Sequence, residues 1–323
     1  MVTVANISVP ALRSGSSGQL RTRRGLGRLA RREALLFYVL IAPWLVNLVV
    51  FVVGPVLSSL YLSFTQYNIV SPAVWVGLAN YQRLFTADPL FYQSLRVTTI
   101  WVVAGVPLRL AAALFFAMLL NQKVPAVGFF RTVYYLPSVV SGVAVSLLWV
   151  WVLQPQFGLL NYFLHMVGLP GPQWLSSPSW ALPGLIVMSL WTVGSTMIIF
   201  LAGLQGIPAE LYESAKIDGA STLRQFFAVT IPLITPVILF NLVIGIIASF
   251  QVFTQAYVMT NGGPNNATLF YVLYLYQVAF QFSQMGYASA LAWILFIIVL
   301  VLTLLVFRSS GRWVYYEGGV KGR

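Results

Sequence analysis

The sequence predicts an all-α integral membrane protein with six transmembrane helices, and three observations carry that reading. The 323 residues are 59% hydrophobic and only 7% charged, with a mean hydropathy of +0.86, where an average soluble domain is about 25% charged. Six apolar stretches are each long enough to cross roughly 30 Å of hydrocarbon, which takes about 20 helical residues. Basic residues concentrate in alternate connections between these stretches, the pattern that orients helical membrane proteins, with only Arg83 in the first outer segment and Arg96 at the start of span two.

The elements follow in order. Residues 1–33 contain Arg13, Arg21, Arg23, Arg24, Arg28, Arg31 and Arg32, seven of the eighteen basic residues, and read as a disordered basic tail. The apolar run behind them is too long for a cleavable signal, so it is the first span. The expected spans are 34–62, 95–120, 133–153, 182–204, 235–259 and 288–307. They form one domain, 34–307, followed by a short basic tail, 308–323, with Arg308, Arg312, Lys321 and Arg323. With the first tail cytoplasmic, the connections holding Lys123 with Arg131 and Lys216 with Arg224 are cytoplasmic, as are both termini. Segments 154–181 and 260–287 contain no Lys or Arg and fall outside. Trp75, Tyr81, Trp174 and Trp180 lie in the outer segments, where amphipathic rings suit the headgroup layer. "ANYQRLF" and "LLNYFLHMVG" read as short surface helices.

Composition removes whole classes of chemistry. There is no Cys, hence no disulfide, thiol catalysis or cysteine metal site. The chain has no GxxxxGK[ST] loop, no HExxH and a single His, His165, in an outer segment. No catalytic residue, metal site or cofactor is expected, and any uphill transport must draw energy from another subunit. The net charge of +12 is a topology signal rather than a nucleic-acid footprint. No Asp or Glu lies within a span, so the intramembrane coupling site usual in ion-driven carriers is missing. Arg96 stands at the start of span two, and Arg109 is the one charge in the middle of a span; lining a pathway, snorkelling and pairing with backbone carbonyls are all open to it.

One stretch stands apart: "ELYESAKIDGASTLRQFFAVTIPLITP" places Glu210, Glu213, Lys216, Asp218 and Arg224 in an otherwise apolar chain. Pro208 suits a helix start, acids near that end suit the helix dipole, and Gly219 suits a left-handed stop. Ser221 can cap a second helix bearing Leu223, Phe226 and Phe227 on one face, which Pro232 is expected to close before span five. Acids outnumber bases here, which argues against a surface helix on an anionic leaflet and for a cytoplasmic protein partner. For a solute path the candidates are small polar residues on spans three to five: Ser138, Ser141 and Gly142; Ser189, Thr192, Gly194 and Ser195; Gly245, Ser249 and Gln251. Gln251 stands out, because an amide deep in a span demands a partner.

The charged stretch carries Glu213, Ser214, Ala215, Gly219, Val229, Ile231 and Pro232 at the spacing of the "EAA" loop, and so resembles the permease subunits of binding-protein-dependent ABC importers. Beyond residue 34 the chain is similar to the maltose-type, carbohydrate-importing branch, with "GLANYQRLF", "FRTVYYLPSVVSGVAVSLLW", "AGLQGIPAELYESAKIDGA" and "VFTQAYVMTNGGP" as shared segments. The resemblance implies the type I importer fold in a prokaryotic inner membrane. It implies three partners: a second homologous permease, a dimer of cytoplasmic ATP-binding subunits, and an extracytoplasmic solute-binding protein. It implies that the loop, 207–236, docks in a cleft of the ATPase, with Glu210, Glu213, Ala215, Asp218 and Gly219 as its contact and turn residues. It further implies a sugar path at Ser138, Gly142, Ser189, Thr192, Val193, Gly245, Ser249 and Val252. These side chains are small or apolar, so most selectivity is expected from the soluble receptor. A mono-, di- or oligosaccharide is the implied solute, and a glycerol-phosphate ester stays open, although the absence of a basic cluster outside argues against anions. A passive facilitator and a membrane scaffold are the competing readings.

Overall fold

A computed structural model describes residues 28–122 and 125–315. The chain divides into two compact units, 1–57 and 58–323. In the first, α1 (Arg28–Asn47) runs through one π turn (Leu48–Val53) into the start of α2 (Gly54–Ser63), whose residues from Ser58 onward belong to the second. No side chain from 31 to 57 is buried, so this apolar rod takes its surroundings from lipid or a partner. The helix begins at Arg28 and claims the last six positions of the expected disordered tail. The rest of that tail, together with Lys123 and 316–323, lies outside the described residues.

Beyond α2 the second unit continues with a two-stranded antiparallel ribbon, β1 (Thr65–Gln66) and β2 (Val74–Trp75), and the short helix α3 (Ala79–Thr86). Then come α4 (Pro89–Leu120), α5 (Val127–Tyr135), α6 (Gly142–Val152), α7 (Leu159–Met166), α8 (Ala181–Ser189), α9 (Gly194–Gln205), α10 (Ala209–Ile217) and α11 (Thr222–Gln225). The chain closes with α12 (Ile231–Phe250), α13 (Thr254–Met259), α14 (Tyr271–Tyr276) and α15 (Met285–Ser310). Four helices are long and apolar enough to cross a membrane, and two bent pairs bring the number to six.

Three expected spans are corrected. Span three, 133–153, is not one rod: Val127–Ser138 and Gly142–Val152 meet at 95°. Pro137 has no N–H for the helical ladder, the chain tightens into a 3₁₀ turn, and Ser141 (φ −52°, ψ 133°) leaves helical geometry altogether. Span four, 182–204, bends by 49° between Thr192 and Gly194. Span five, 235–259, is displaced. A continuous helix runs Thr222–Phe250, and Thr254–Met259 is a separate short helix beyond it. Pro232 does not close the loop, because a π turn over Phe226–Thr230 precedes it and Pro232 sits in the first turn of the α-helical ladder that follows, where its missing N–H costs little. The breaks in spans three and four touch each other. Irregular backbone is tolerated at membrane depth only against protein or a cavity.

Helix α4 organises the unit by contributing to two cores. Val97, Trp101, Val102 and Val106 pack with Leu185, Phe270, Tyr271 and Leu291 in one. Ala113, Ala117 and Leu120 pack with Met197, Phe200, Leu204 and Ile234 in the other. Arg109 falls between them. Arg131 donates from Nη2 to the Leu120 carbonyl at 3.0 Å and so caps the end of α4. Within segment 260–287, Tyr271 and Leu273 of α14 are fully buried.

At the opposite end of α4, Asp88 is the N-cap. Its Oδ1 accepts from the amides of Leu90 (3.0 Å) and Phe91 (3.1 Å), and its Oδ2 accepts from the hydroxyls of Tyr274 (2.6 Å) and Tyr287. Arg83 stacks over Tyr287 at 4.3 Å and donates to Gln284 Oε1 at 2.8 Å. One buried carboxylate therefore pins α4, α14 and α15 together. Burial first, and the Asp88 carboxylate second, push the Tyr274 hydroxyl above its ordinary value.

Two outcomes follow. Asp88→Ala removes a cap and strands two tyrosine hydroxyls, so detergent-solubilised protein should lose about 2–5 kcal/mol of stability, against about 1 for Tyr274→Phe. Because folding raises the Tyr274 value, its contribution is whole below pH about 10 and lost above it; thermal unfolding at pH 8 and pH 11 in wild type and Tyr274→Phe measures this. For the small residues, a Cβ at Gly194 would sit 2.5 Å from the Tyr134 carbonyl oxygen and 2.8 Å from Tyr135 Cα, whereas one at Gly142 would meet only Thr254 Cγ2 at 3.8 Å. Gly194→Ala should cost about 1–3 kcal/mol and Gly142→Ala little, read from the same melting curves.

Candidate functional site

A cavity of about 360 Å³ opens between α4, the α8–α9 bend and α12. Its wall includes Trp101 and Arg109 from α4, Ser189, Thr192, Val193, Ser195 and Thr196 from the bend, and Asn241, Gly245, Ser249 and Val252 from α12 and its end. The Arg109 guanidinium donates from Nη2 to Ser249 Oγ at 2.6 Å, and Ser249 donates in turn to the Gly245 carbonyl. Arg109 Cζ stands 4.9 Å from the Trp101 ring centroid, within cation–π range. Trp101 is itself set by Phe270, edge-on at 5.4 Å, while its indole N–H is buried without a partner among the described residues. Ser189 and Thr192 donate to the carbonyls of Ile186 (2.7 Å) and Ser189 (3.1 Å), which leaves their oxygens as acceptors.

This cavity brings together Ser189, Thr192, Val193, Ser195, Gly245, Ser249 and Val252 from the sequence-level candidates. It leaves out Ser138, Ser141 and Gly142, which lie at the span-three break, where Ser138 donates to the Tyr135 carbonyl at 2.6 Å. Gln251 is also outside it. The amide expected deep in a span stands exposed at the C-cap of α12, because the helix stops at Phe250, and Gln255 lines the cavity instead. Arg109, Trp101, Asn241 and Thr196 were not singled out as site residues from sequence. Only Arg109 carried a signal, a lone charge in a span.

The charged loop forms a second site. Helix α10 is capped by Pro208 and Asp218, so it is one residue shorter at each end than expected. Gly219 takes φ +73°, with nothing within 4 Å of an added Cβ, so its requirement is conformational rather than steric. Gly219 N–H donates to the Lys216 carbonyl at 3.0 Å and Ala220 N–H to the Ala215 carbonyl at 2.9 Å, closing the helix end. Ser221 then caps α11, accepting from Arg224 N at 3.4 Å. Across the turn, Tyr212 and Thr230 share a hydrogen bond of 2.9 Å. Glu210, Glu213 and Asp218 are exposed, Ala215 is half-buried, and Ile217 is 87% exposed at the tip. Among the described residues none of these charges is in an ion pair, and no three His, Asp or Glu side chains are grouped to hold a metal ion.

The loop and the cavity are separate in space and joined in the chain. Helix α9 lines the cavity at its start and leads into α10 at its end. The 29-residue helix Thr222–Phe250 carries α11 at one end and Gly245 and Ser249 at the other. At 1.5 Å per residue, the turn and the cavity lie about 40 Å apart along that rod.

Comparison with known proteins bears on family and fold. A family model described as "Binding-protein-dependent transport system inner membrane component" matches residues 109–313. The chain is 44% identical over 294 residues to "Probable ABC transporter permease protein YesP" of Bacillus subtilis (strain 168), covering 90% of this chain and 95% of that one. It is 32% identical over 287 residues to "Trehalose/maltose transport system permease protein MalF" of Thermococcus litoralis, covering 88% and 96%. A solved chain titled "Crystal structure of a bacterial ABC transporter involved in the import of the acidic polysaccharide alginate" superposes with a TM-score of 0.77 at 25% identity, over 88% of this chain and 99% of that one. The type I importer fold expected from the loop motif is therefore the fold found, and the chain belongs to the family of binding-protein-dependent transport system inner membrane components, the permease subunits of ABC importers.

Proposed function

We propose that this chain moves a sugar across the cytoplasmic membrane by alternating access, as one permease of an ATP-driven importer. ATP is hydrolysed by a separate pair of cytoplasmic subunits, a second homologous permease completes the path, and an extracytoplasmic binding protein delivers the solute. The relatives named for trehalose, maltose and alginate support a carbohydrate solute. They include both a neutral and an acidic substrate, so they leave the charge class open.

One observation carries the mechanism: a capped, exposed, acidic helix–turn–helix is continuous with the Thr222–Phe250 rod on one side and joined to α9 by only residues 206–208 on the other, and both of those helices line the cavity. Glu210, Glu213 and Asp218 meet basic residues of the ATPase, Ala215 allows close approach, and Ile217 seats in its cleft. Closure of the ATPase pair draws α10 sideways. The Tyr212–Thr230 bond holds the two arms together, so α9 and the Thr222–Phe250 rod move as a unit and reshape the wall at Ser189, Thr192, Gly245 and Ser249. Both termini are cytoplasmic on this reading. Residues 34–307 form the permease domain between two basic tails, and Ser138, Ser141, Gly142 and Gln251 serve as outlying contacts of the path.

The experiment is to reconstitute the chain with candidate second-permease, ATPase and binding-protein partners, and to measure receptor-stimulated ATPase activity and sugar uptake. Gly219→Val forces a β-branched residue into left-handed backbone, and Glu213→Lys reverses the docking charge. Both should lower stimulated activity more than about tenfold and release the ATPase on purification, with the spans still inserted. A passive facilitator would go on moving sugar in both variants.

A further inference from the structure

The cavity carries one formal charge and no counterion. In the unit that holds it, the described acids are Asp88, Glu210, Glu213 and Asp218. Asp88 caps the same helix as Arg109 but lies about 32 Å along it, and its oxygens are already committed to two amides and two hydroxyls. The three loop acids are at the far end of the rod that carries Ser249. Ser249 gives Arg109 a neutral partner for one of the five N–H donors of a guanidinium, and Trp101 covers one face. An uncompensated charge in a partly buried, apolar-walled space is unfavourable. Anything negative that enters the cavity relieves it.

Two further features act in the same direction. Helix α9, 12 residues long, starts at Gly194 without a side-chain cap, and Val193, Ser195 and Thr196 around that start line the cavity. The positive end of its dipole therefore faces the same space as Arg109. Meanwhile Ser189 and Thr192 present acceptor oxygens, which suit the hydroxyls of a sugar ring but not a bare anion. Arg109 stands on the α4 wall, and the start of α9 and the acceptors Ser189 and Thr192 stand together on the bend.

We infer that the cavity selects a sugar bearing a carboxylate, with the acid group received by Arg109 and the ring hydroxyls by the α8–α9 bend. Arg109 is a specificity-determining residue for the transport reaction. The inference rests on the sugar-import reading. The absence of basic residues in the outer segments concerns the approach to the membrane, whereas the charge that discriminates is inside it.

The test uses the complete importer in proteoliposomes with disaccharides of glucuronate, galacturonate or mannuronate, each beside its uncharged methyl ester. Wild type should favour at least one acid over its ester. Arg109→Gln should collapse that acid-to-ester ratio by about ten- to a hundredfold, the scale of a charge-assisted hydrogen bond, and Arg109→Lys should retain part of it. Because the binding protein is the same in all three, a change in the ratio belongs to the membrane cavity. An unchanged ratio in both variants overturns the inference. So does wild-type uptake of neutral sugars with none of the acids, a result that leaves the import reading intact and assigns the counterion to the second permease. If no sugar of either charge enters while another solute stimulates ATP hydrolysis, the import reading itself has failed, and this inference with it.

Discussion

Backbone amides and carbonyls that cannot be hydrated in a membrane must find partners within the chain, and this constraint decides where the protein bends and where it stays rigid. Spans three and four break at Pro137–Ser141 and Val193. Their broken ends touch, and the one in span four turns its loosened backbone toward a cavity instead of lipid. The two helices facing that cavity, α4 and the Thr222–Phe250 rod, remain unbroken. Rigid elements thus surround a deformable one, and the single intramembrane charge, Arg109, ties the two rigid elements together through Ser249.

From that arrangement the division of labour follows. The two apolar cores on α4 hold the bundle on either side of Arg109, and the Asp88 cluster fixes the outer ends of α4, α14 and α15. The cavity wall shares Trp101 and Val106 with one core, and its remaining positions carry small side chains and one half-buried guanidinium. The charged loop sits where it does for the same reason. Its charges are hydrated and exposed, its caps make it stiff, and both of its arms end in helices that reach the cavity. Force applied to a short stiff element is transmitted by the hydrogen-bonded rods rather than dissipated in a linker.

Much of this was legible in the residues. The Gly219 stop and the Ser221 cap rest on local chemistry that needs no tertiary information and were found where they were expected, whereas three of the six apolar stretches are bent or displaced. What escaped was decided by contacts at long range. Pro232 looked like a helix breaker, but a π turn upstream absorbed it. Gln251 looked buried because it followed an apolar run, yet Phe250 ends the helix and leaves it exposed. That the aromatic run around Tyr271, in a segment read only for its lack of basic residues, forms core was not foreseen. Arg109 was visible as an anomaly only, since its meaning depends on which helices face it.

The central claim is that the charged turn and the cavity are two ends of one rod. The chain has no cysteine, so Ala248→Cys places a single thiol on the exposed cavity wall. Its labelling rate by a membrane-impermeant reagent is then measured in the assembled importer, with and without ATP trapped by vanadate. The account predicts a rate change of several-fold on trapping, abolished when three glycines are inserted after Ala228 to interrupt the rod while the ATPase stays bound. A rate that does not respond to trapping, or a response that survives the glycine insertion, would contradict it.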